Sequence, residues 1–256
     1  MRPGTEILID KQLIHCEERS KHTLQIETKT AAKGYKLYSI CDPSGYLFDF
    51  LFSSKVVKVV ENKQFTPTNP LYNSKNTTTP LKRKRFTPTD RVALTLVHRL
   101  DRNWPNLQHI LYMDNFFTNH RLFSELRAWN HAACGTCKAG SGAPKELFEL
   151  AKVLTKQEDY GLHMNYPLFD VNNILFVDSK GLVIQSTYHT GKEPSLWLSI
   201  KKRRDVSISC ARSLLDRTVE IPLPQAAGDY NNGMGGVNLA QRLANEYTTA
   251  KTHFRN

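Results

Sequence analysis

No run of apolar residues in this chain approaches the ~20 needed to cross a bilayer, so no membrane partner is expected. The N-terminus, Met-Arg-Pro-Gly-Thr-Glu, lacks the apolar core of a signal peptide. Acid is scarce as well. Twenty-four aspartates and glutamates face 35 lysines and arginines, a formal charge of +11. That imbalance favours a polyanionic partner, most simply nucleic acid. Cysteines number only five, an odd count without a secretion signal, which points to reduced thiols in an intracellular protein. Cys134 and Cys137 have zinc-knuckle spacing with His131 nearby, but no second Cys/His pair follows to complete a tetrahedral site. Buried thiols on a strand are expected there instead. What remains is ordinary for a globular chain: 40% hydrophobic and 23% charged residues over 256 positions, enough for one large domain or two smaller ones.

The stretch that organises the chain is Leu107 to Thr118. Ile110, Leu111, Tyr112 and Met113 form an apolar run of a length suited to a buried strand. The run stops at Asp114-Asn115, and an amphipathic helix follows Thr118, with Leu122, Phe123, Leu126 and Trp129 on its inner side. An acidic residue at the C-terminal mouth of a buried strand sits where open α/β sheets place functional groups. Strands also end in aspartate for turn chemistry alone. Asp42 has the same setting: Tyr35 to Cys41 reads as a strand, and Asp42-Pro43-Ser44-Gly45 is a turn signal.

Other elements follow from local pattern. Glu6 to Asp10, Thr23 to Glu27, Tyr46 to Ser53 and Val56 to Val60 read as strands. Thr87 suits an N-cap, with Pro88 at the first helical position and Asp90 three residues after the cap. Ala93, Leu96, Val97 and Leu100 then give that helix one buried face. Pro144 to Lys152 suits a short helix, Asn173 to His189 a hairpin turning at Asp178-Ser179-Lys180-Gly181, and Val237 to about Tyr247 a final helix. Residues 61–86, rich in Thr, Pro, Asn and Ser, read as a mobile loop. It ends in Lys82-Arg83-Lys84-Arg85, a basic cluster suited to nuclear import or phosphate contact. Lys201-Lys202-Arg203-Arg204 is a second cluster.

Five blocks in order resemble piggyBac-type transposases. They are Asp42-Pro-Ser-Gly45-Tyr46, Asp114-Asn-Phe-Phe-Thr118, Cys134-Gly-Thr136, Ser186-Thr-Tyr-His189 and Asp229-Tyr-Asn-Asn-Gly-Met-Gly-Gly236-Val237. The resemblance implies an α/β fold, an RNase H-like mixed sheet flanked by helices, with a β-rich insertion between the second and third acidic blocks. Residues 1–138 would hold the first part of the core, 139–223 the insertion, and 224–256 the closing helix of a truncated core. In that family three aspartates hold two Mg²⁺ ions against a DNA phosphodiester, with Mn²⁺ as a substitute. The resemblance places Asp42 and Asp114 on the first two positions, both as metal ligands, and puts Asn238 on the third, where the family has aspartate. A further acidic position three residues on corresponds to Gln241. The expectation is a nuclear, DNA-binding, domesticated transposase with a degenerate Asp42/Asp114/Asn238 triad and no transposition. Lys82 to Arg85 and Lys201 to Arg204 are its expected DNA contacts, and assembly as a homo-oligomer stays open. A residual Mg²⁺-dependent nuclease or strand-transfer activity is the alternative, as is a non-functional remnant or protein-interaction module.

Overall fold

A computed structural model of the chain describes residues 2–15, 24–25, 33–53, 86–157, 159–178, 180–201 and 218–246. The expected mobile loop up to residue 85, the strand at 56–60, the cluster Lys82 to Arg85 and the cluster residues Lys202 to Arg204 lie outside the described residues.

Eight strands form the path of one mixed sheet, in the order β2-β3-β1-β5-β6-β9-β8-β7, with a ninth, β4, paired to β3. The strands are β1 (Glu6–His15), β2 (Leu24–Gln25), β3 (Lys33–Cys41), β4 (Leu47–Phe52), β5 (Ile110–Met113), β6 (Ala132–Thr136), β7 (His163–Leu168), β8 (Val171–Phe176) and β9 (Leu182–Ser186). Within it, β1 runs antiparallel to β3 and parallel to β5, and β5 runs parallel to β6. This is the RNase H-like mixed sheet expected, with β1 between β3 and β5. The insertion does not form a separate layer. Its strands β7, β8 and β9 continue the same sheet by antiparallel pairing of β9 onto β6. A separate hairpin pairs β10 (Leu196–Lys201) with β11 (Thr218–Leu223).

The central strands are apolar at consecutive positions because both faces are covered. Side chains alternate along a strand, so Ile7 and Ile9 enter one core with Leu111 and Met113, while Leu8 enters another with Tyr112. Helices α1 (Pro88–Asn103) and α2 (His120–Ala128) supply the first core through Val97, Leu100, Leu122, Phe123 and Leu126. Helices α4 (Gln225–Gly233) and α5 (Gly236–Glu246) supply the second through Ala226, Ala227 and Val237. Helix α3 (Lys145–Gln157) closes a third, smaller core over Leu175 and Val183. Cys134 and Cys137 are buried in different cores, an odd number of residues apart on opposite faces. No helix among the described residues is long and apolar enough to cross a membrane.

The α1 start has the anticipated capping box. Asp90 N–H donates to Thr87 Oγ1 at 3.2 Å, and Thr87 N–H donates to Asp90 Oδ2 at 2.7 Å. Asp90 reaches further than its own helix. It is 1% exposed and accepts from Arg121 Nη2 at 2.9 Å and from Asn119, the N-cap of α2. One buried carboxylate thus ties the starts of both helices together, and α2 begins just after the Asp114 turn.

Candidate active site

The parallel register of β1 with β5 pairs Ile9 with Met113. The next position in this register is an aspartate on each side, Asp10 within β1 and Asp114 just past the end of β5, so the two lie side by side at the edge where β5 stops. Tyr230 of α4 senses both. Its hydroxyl pKa is pushed up to about 12, first by burial and then by the negative charges of Asp114 and Asp10, against a lowering contact with Thr136.

Asp42 does not share this edge. β3 runs antiparallel to β1 and pairs Cys41 with Leu8, so Asp42 falls beside Ile7, three residues back along β1 from Asp10. Strand geometry puts its backbone ~10 Å along the sheet and two strand spacings, ~10 Å, across from Asp114. Its carboxylate is committed locally: Oδ1 accepts Ser44 Oγ at 2.6 Å and Tyr46 N–H at 3.0 Å. Gly45, at φ 86°, completes the turn with its N–H on the Asp42 carbonyl. The pairing of Asp42 with Asp114 anticipated from the sequence is therefore not made.

Helix α5 lies along β1 on the face that carries Leu8, Asp10 and Gln12. A Cβ placed on Gly236 would stand 2.1 Å from the Asp42 carbonyl oxygen and 2.8 Å from Leu8 Cδ2, so only glycine lets the helix start this close. Further along, Gln12 Nε2 donates to the Val237 carbonyl at 3.3 Å and Gln241 Nε2 to the Leu13 carbonyl at 2.8 Å. Asn238 is on the first turn of this helix, and its side chain is exposed. The Asp42 backbone carbonyl therefore lies against the start of α5.

Two lysines stand near the Asp114 turn, one of them on the carboxylate itself. Lys11 Nζ is 2.9 Å from Asp114 Oδ2 and 4.7 Å from the centre of the Phe116 ring. Lys36 Nζ stands 5.0 Å from the same ring and 5.2 Å from that of Tyr38. Phe116 N–H in turn donates to Asp114 Oδ1 at 3.0 Å, and Lys11 N–H donates to Asp10 Oδ1 at 2.7 Å. Both oxygens of Asp114 are thus already engaged.

A family profile described as Transposase IS4 matches residues 1–255. The chain belongs to that family. Among solved structures, the cryo-EM structure of a piggyBac transposase synaptic complex with hairpin DNA shares its fold, with a TM-score of 0.59 at 17% identity. The match covers 95% of this chain and 41% of that one, so the chain spans less than half of the transposase it resembles. A comparison with curated proteins finds no significant match.

Membership in the Transposase IS4 family implies divalent-metal chemistry, and the donor set can be tested against it. Mg²⁺ requires hard, anionic oxygens, and a two-ion cage needs enough of them to balance both charges. Among the described residues no group of three His, Cys, Asp or Glu side chains could hold an ion. The edge offers two carboxylates, one of them paired to an ammonium, and an exposed amide. That set does not fit a two-ion cage.

The last two sequence blocks also meet in space. Ser186 Oγ accepts the N–H groups of Tyr188 and His189, which leaves its own hydrogen for His189 Nδ1 at 3.0 Å. His189 Nε2–H then faces Asp229 Oδ2 at 3.0 Å, and Gln225 Nε2 donates to Asp229 Oδ1 at 2.6 Å. The serine is fully buried, so the chain of bonds is a clasp holding α4 to the end of β9, with no nucleophile to offer. Sequence reading did not find this clasp, nor Asp10, Lys11 or Tyr230. The signal for Asp10 was present: Glu6-Ile-Leu-Ile-Asp10 repeats the pattern of an apolar run ending in aspartate at Ile110-Leu-Tyr-Met-Asp114. Of the expected DNA contacts, only Lys201 falls within the described residues, as the last residue of β10.

Proposed function

We propose that this chain is a transposase-derived DNA-binding protein whose strand-cleaving chemistry has been lost. One observation carries the reading: two carboxylates, Asp10 and Asp114, lie side by side in the register of adjacent parallel strands, while the first turn of α5 carries the exposed amide of Asn238. An amide supplies a dipole where the chemistry needs a full charge. In this reading the degenerate set is Asp10, Asp114 and Asn238, and Asp42 is a turn residue that seats α5.

The net charge of +11 supports binding to DNA. So does Lys36 beside Phe116. The solved relative was captured as a synaptic complex with hairpin DNA, and by that likeness we extend duplex binding and self-association to this chain. Lys82 to Arg85 and Lys201 to Arg204 would contact phosphates, and the first cluster would also direct the protein to the nucleus. A mobility-shift series on duplex DNA from about 50 to about 200 mM salt tests the reading. Affinity should fall steeply as counterions are released. Absent binding, or binding that salt leaves unchanged, would refute it.

A further inference from the structure

Lys11 sits on β1 directly after Asp10, and its ammonium lies on Asp114 rather than in open solvent. Three contacts hold it there. Asp114 Oδ2 takes the ammonium at 2.9 Å, the Phe116 ring covers it at 4.7 Å, and Phe116 N–H fixes the other oxygen of the same carboxylate at 3.0 Å. Turn, ring, carboxylate and ammonium therefore form one closed unit. The pair is still reachable from solvent, with the Lys11 side chain 40% and that of Asp114 23% exposed.

We propose that Lys11 is a built-in cation that occupies the Asp114 carboxylate in place of a divalent ion. The inference rests on the reading above only in taking Asp10 and Asp114 as the acidic edge. A divalent ion at Asp114 would need the oxygen the ammonium holds, and it would be repelled by that charge at close range. The ammonium is tethered one residue from Asp10, so its effective concentration at the site does not fall on dilution. A free ion has to outcompete it. The missing third carboxylate weakens an ion cage; Lys11 in addition fills the part that is left.

The test is Mn²⁺ titration of the full chain, read by calorimetry and by the free-ion paramagnetic resonance signal, neither of which depends on activity. Lys11→Met and Lys11→Gln should each bind Mn²⁺ at least tenfold more tightly than the wild type. Lys11→Arg, which keeps the charge, should match the wild type, and Lys11→Met combined with Asp114→Asn should lose the gain. Two neutral replacements guard against one that fails to fold, as checked by circular dichroism. The proposal is overturned if neither neutral variant binds more tightly, or if the gain survives loss of the Asp114 carboxylate. Failure of the wild type to shift duplex DNA would refute the functional reading separately, without altering the outcome of this titration.

Discussion

Asp90→Ala should be among the most damaging single substitutions in the described core. The carboxylate is 1% exposed and lies 2.9 Å from Arg121 Nη2, whose side chain is 9% exposed. Removing one member of a buried ion pair costs ~3–5 kcal/mol, because the other charge stays buried without its counter-charge. Loss of the capping box at Thr87 adds ~1 kcal/mol. Together these approach the lower end of the ~5–15 kcal/mol that keeps a domain folded. At ~2–4 °C per kcal/mol for a chain of this size, the melting temperature should drop by ~8–24 °C. Thermal melts followed by circular dichroism would measure it. The companion is Asp90→Ala with Arg121→Met, which removes both charges and keeps an apolar stem near Phe86, whose ring lies 4.7 Å from the Arg121 guanidinium. That double variant should be more stable than the summed single losses by ~2 kcal/mol or more. A loss below ~1 kcal/mol for Asp90→Ala, or simple additivity in the pair, would refute the argument. Because Asp90 also bonds the N-cap of α2, the substitution should loosen the Asp114 turn along with the helix.

Gly236→Ala would drive a methyl group to 2.1 Å from the Asp42 carbonyl, so α5 must lift from β1 at a cost of ~1–3 kcal/mol; thermal melts and faster proteolysis of the C-terminal helix would show it. Burial lowers the pKa of His109 and of His120, only partly offset by their hydrogen bonds to the Gly4 and Leu168 carbonyls. Both are therefore neutral in the fold while the unfolded chain takes up protons below its ordinary histidine pKa of ~6.5. Stability should be unaffected by them above that pH and decline below it, levelling once the folded pKa values are passed; melts of His120→Asn and His109→Asn from pH 7.5 to ~5 should show a shallower decline than the wild type. Replacing Lys82, Arg83, Lys84 and Arg85 together by alanine should weaken duplex binding and reduce its log–log salt slope by up to ~3–4, about 0.9 for each phosphate no longer neutralised; an unchanged slope would mean the cluster does not touch DNA.

Much of the local structure was legible in the sequence because it depends on short-range chemistry. Thr87, Pro88 and Asp90 announce the α1 cap, and the Leu182 and Val171 strands surround a recognisable turn at Asp178. The apolar run before Asp114 reads as a buried strand because nothing in it suits water. The site was less legible, because it depends on which strands lie side by side. Two strands, β1 and β3, each carry a stretch of apolar residues up to an aspartate, and only the antiparallel register of one against the other decides which aspartate meets Asp114. Long connections separate these strands in the chain, and no local rule fixes their order. β7 escaped notice for a different reason. As an edge strand it is exposed, Met164 and Tyr166 included, without a buried apolar face, and it contains Pro167, a residue that an edge tolerates and an interior strand does not. Lys11 was invisible as a site residue because alternation alone puts it on the face opposite Asp10; it reaches Asp114 only because that carboxylate lies beyond the end of β5.

The most direct measurement of the central claim is nicking of supercoiled plasmid in Mg²⁺ and in Mn²⁺, with wild type compared against Asp10→Ala and Asp114→Ala at protein concentrations that bind the DNA fully. All three proteins should leave the plasmid at the background of buffer alone. Nicking by the wild type that disappears in both aspartate variants would contradict it, and would mean that two carboxylates and an amide suffice for the chemistry.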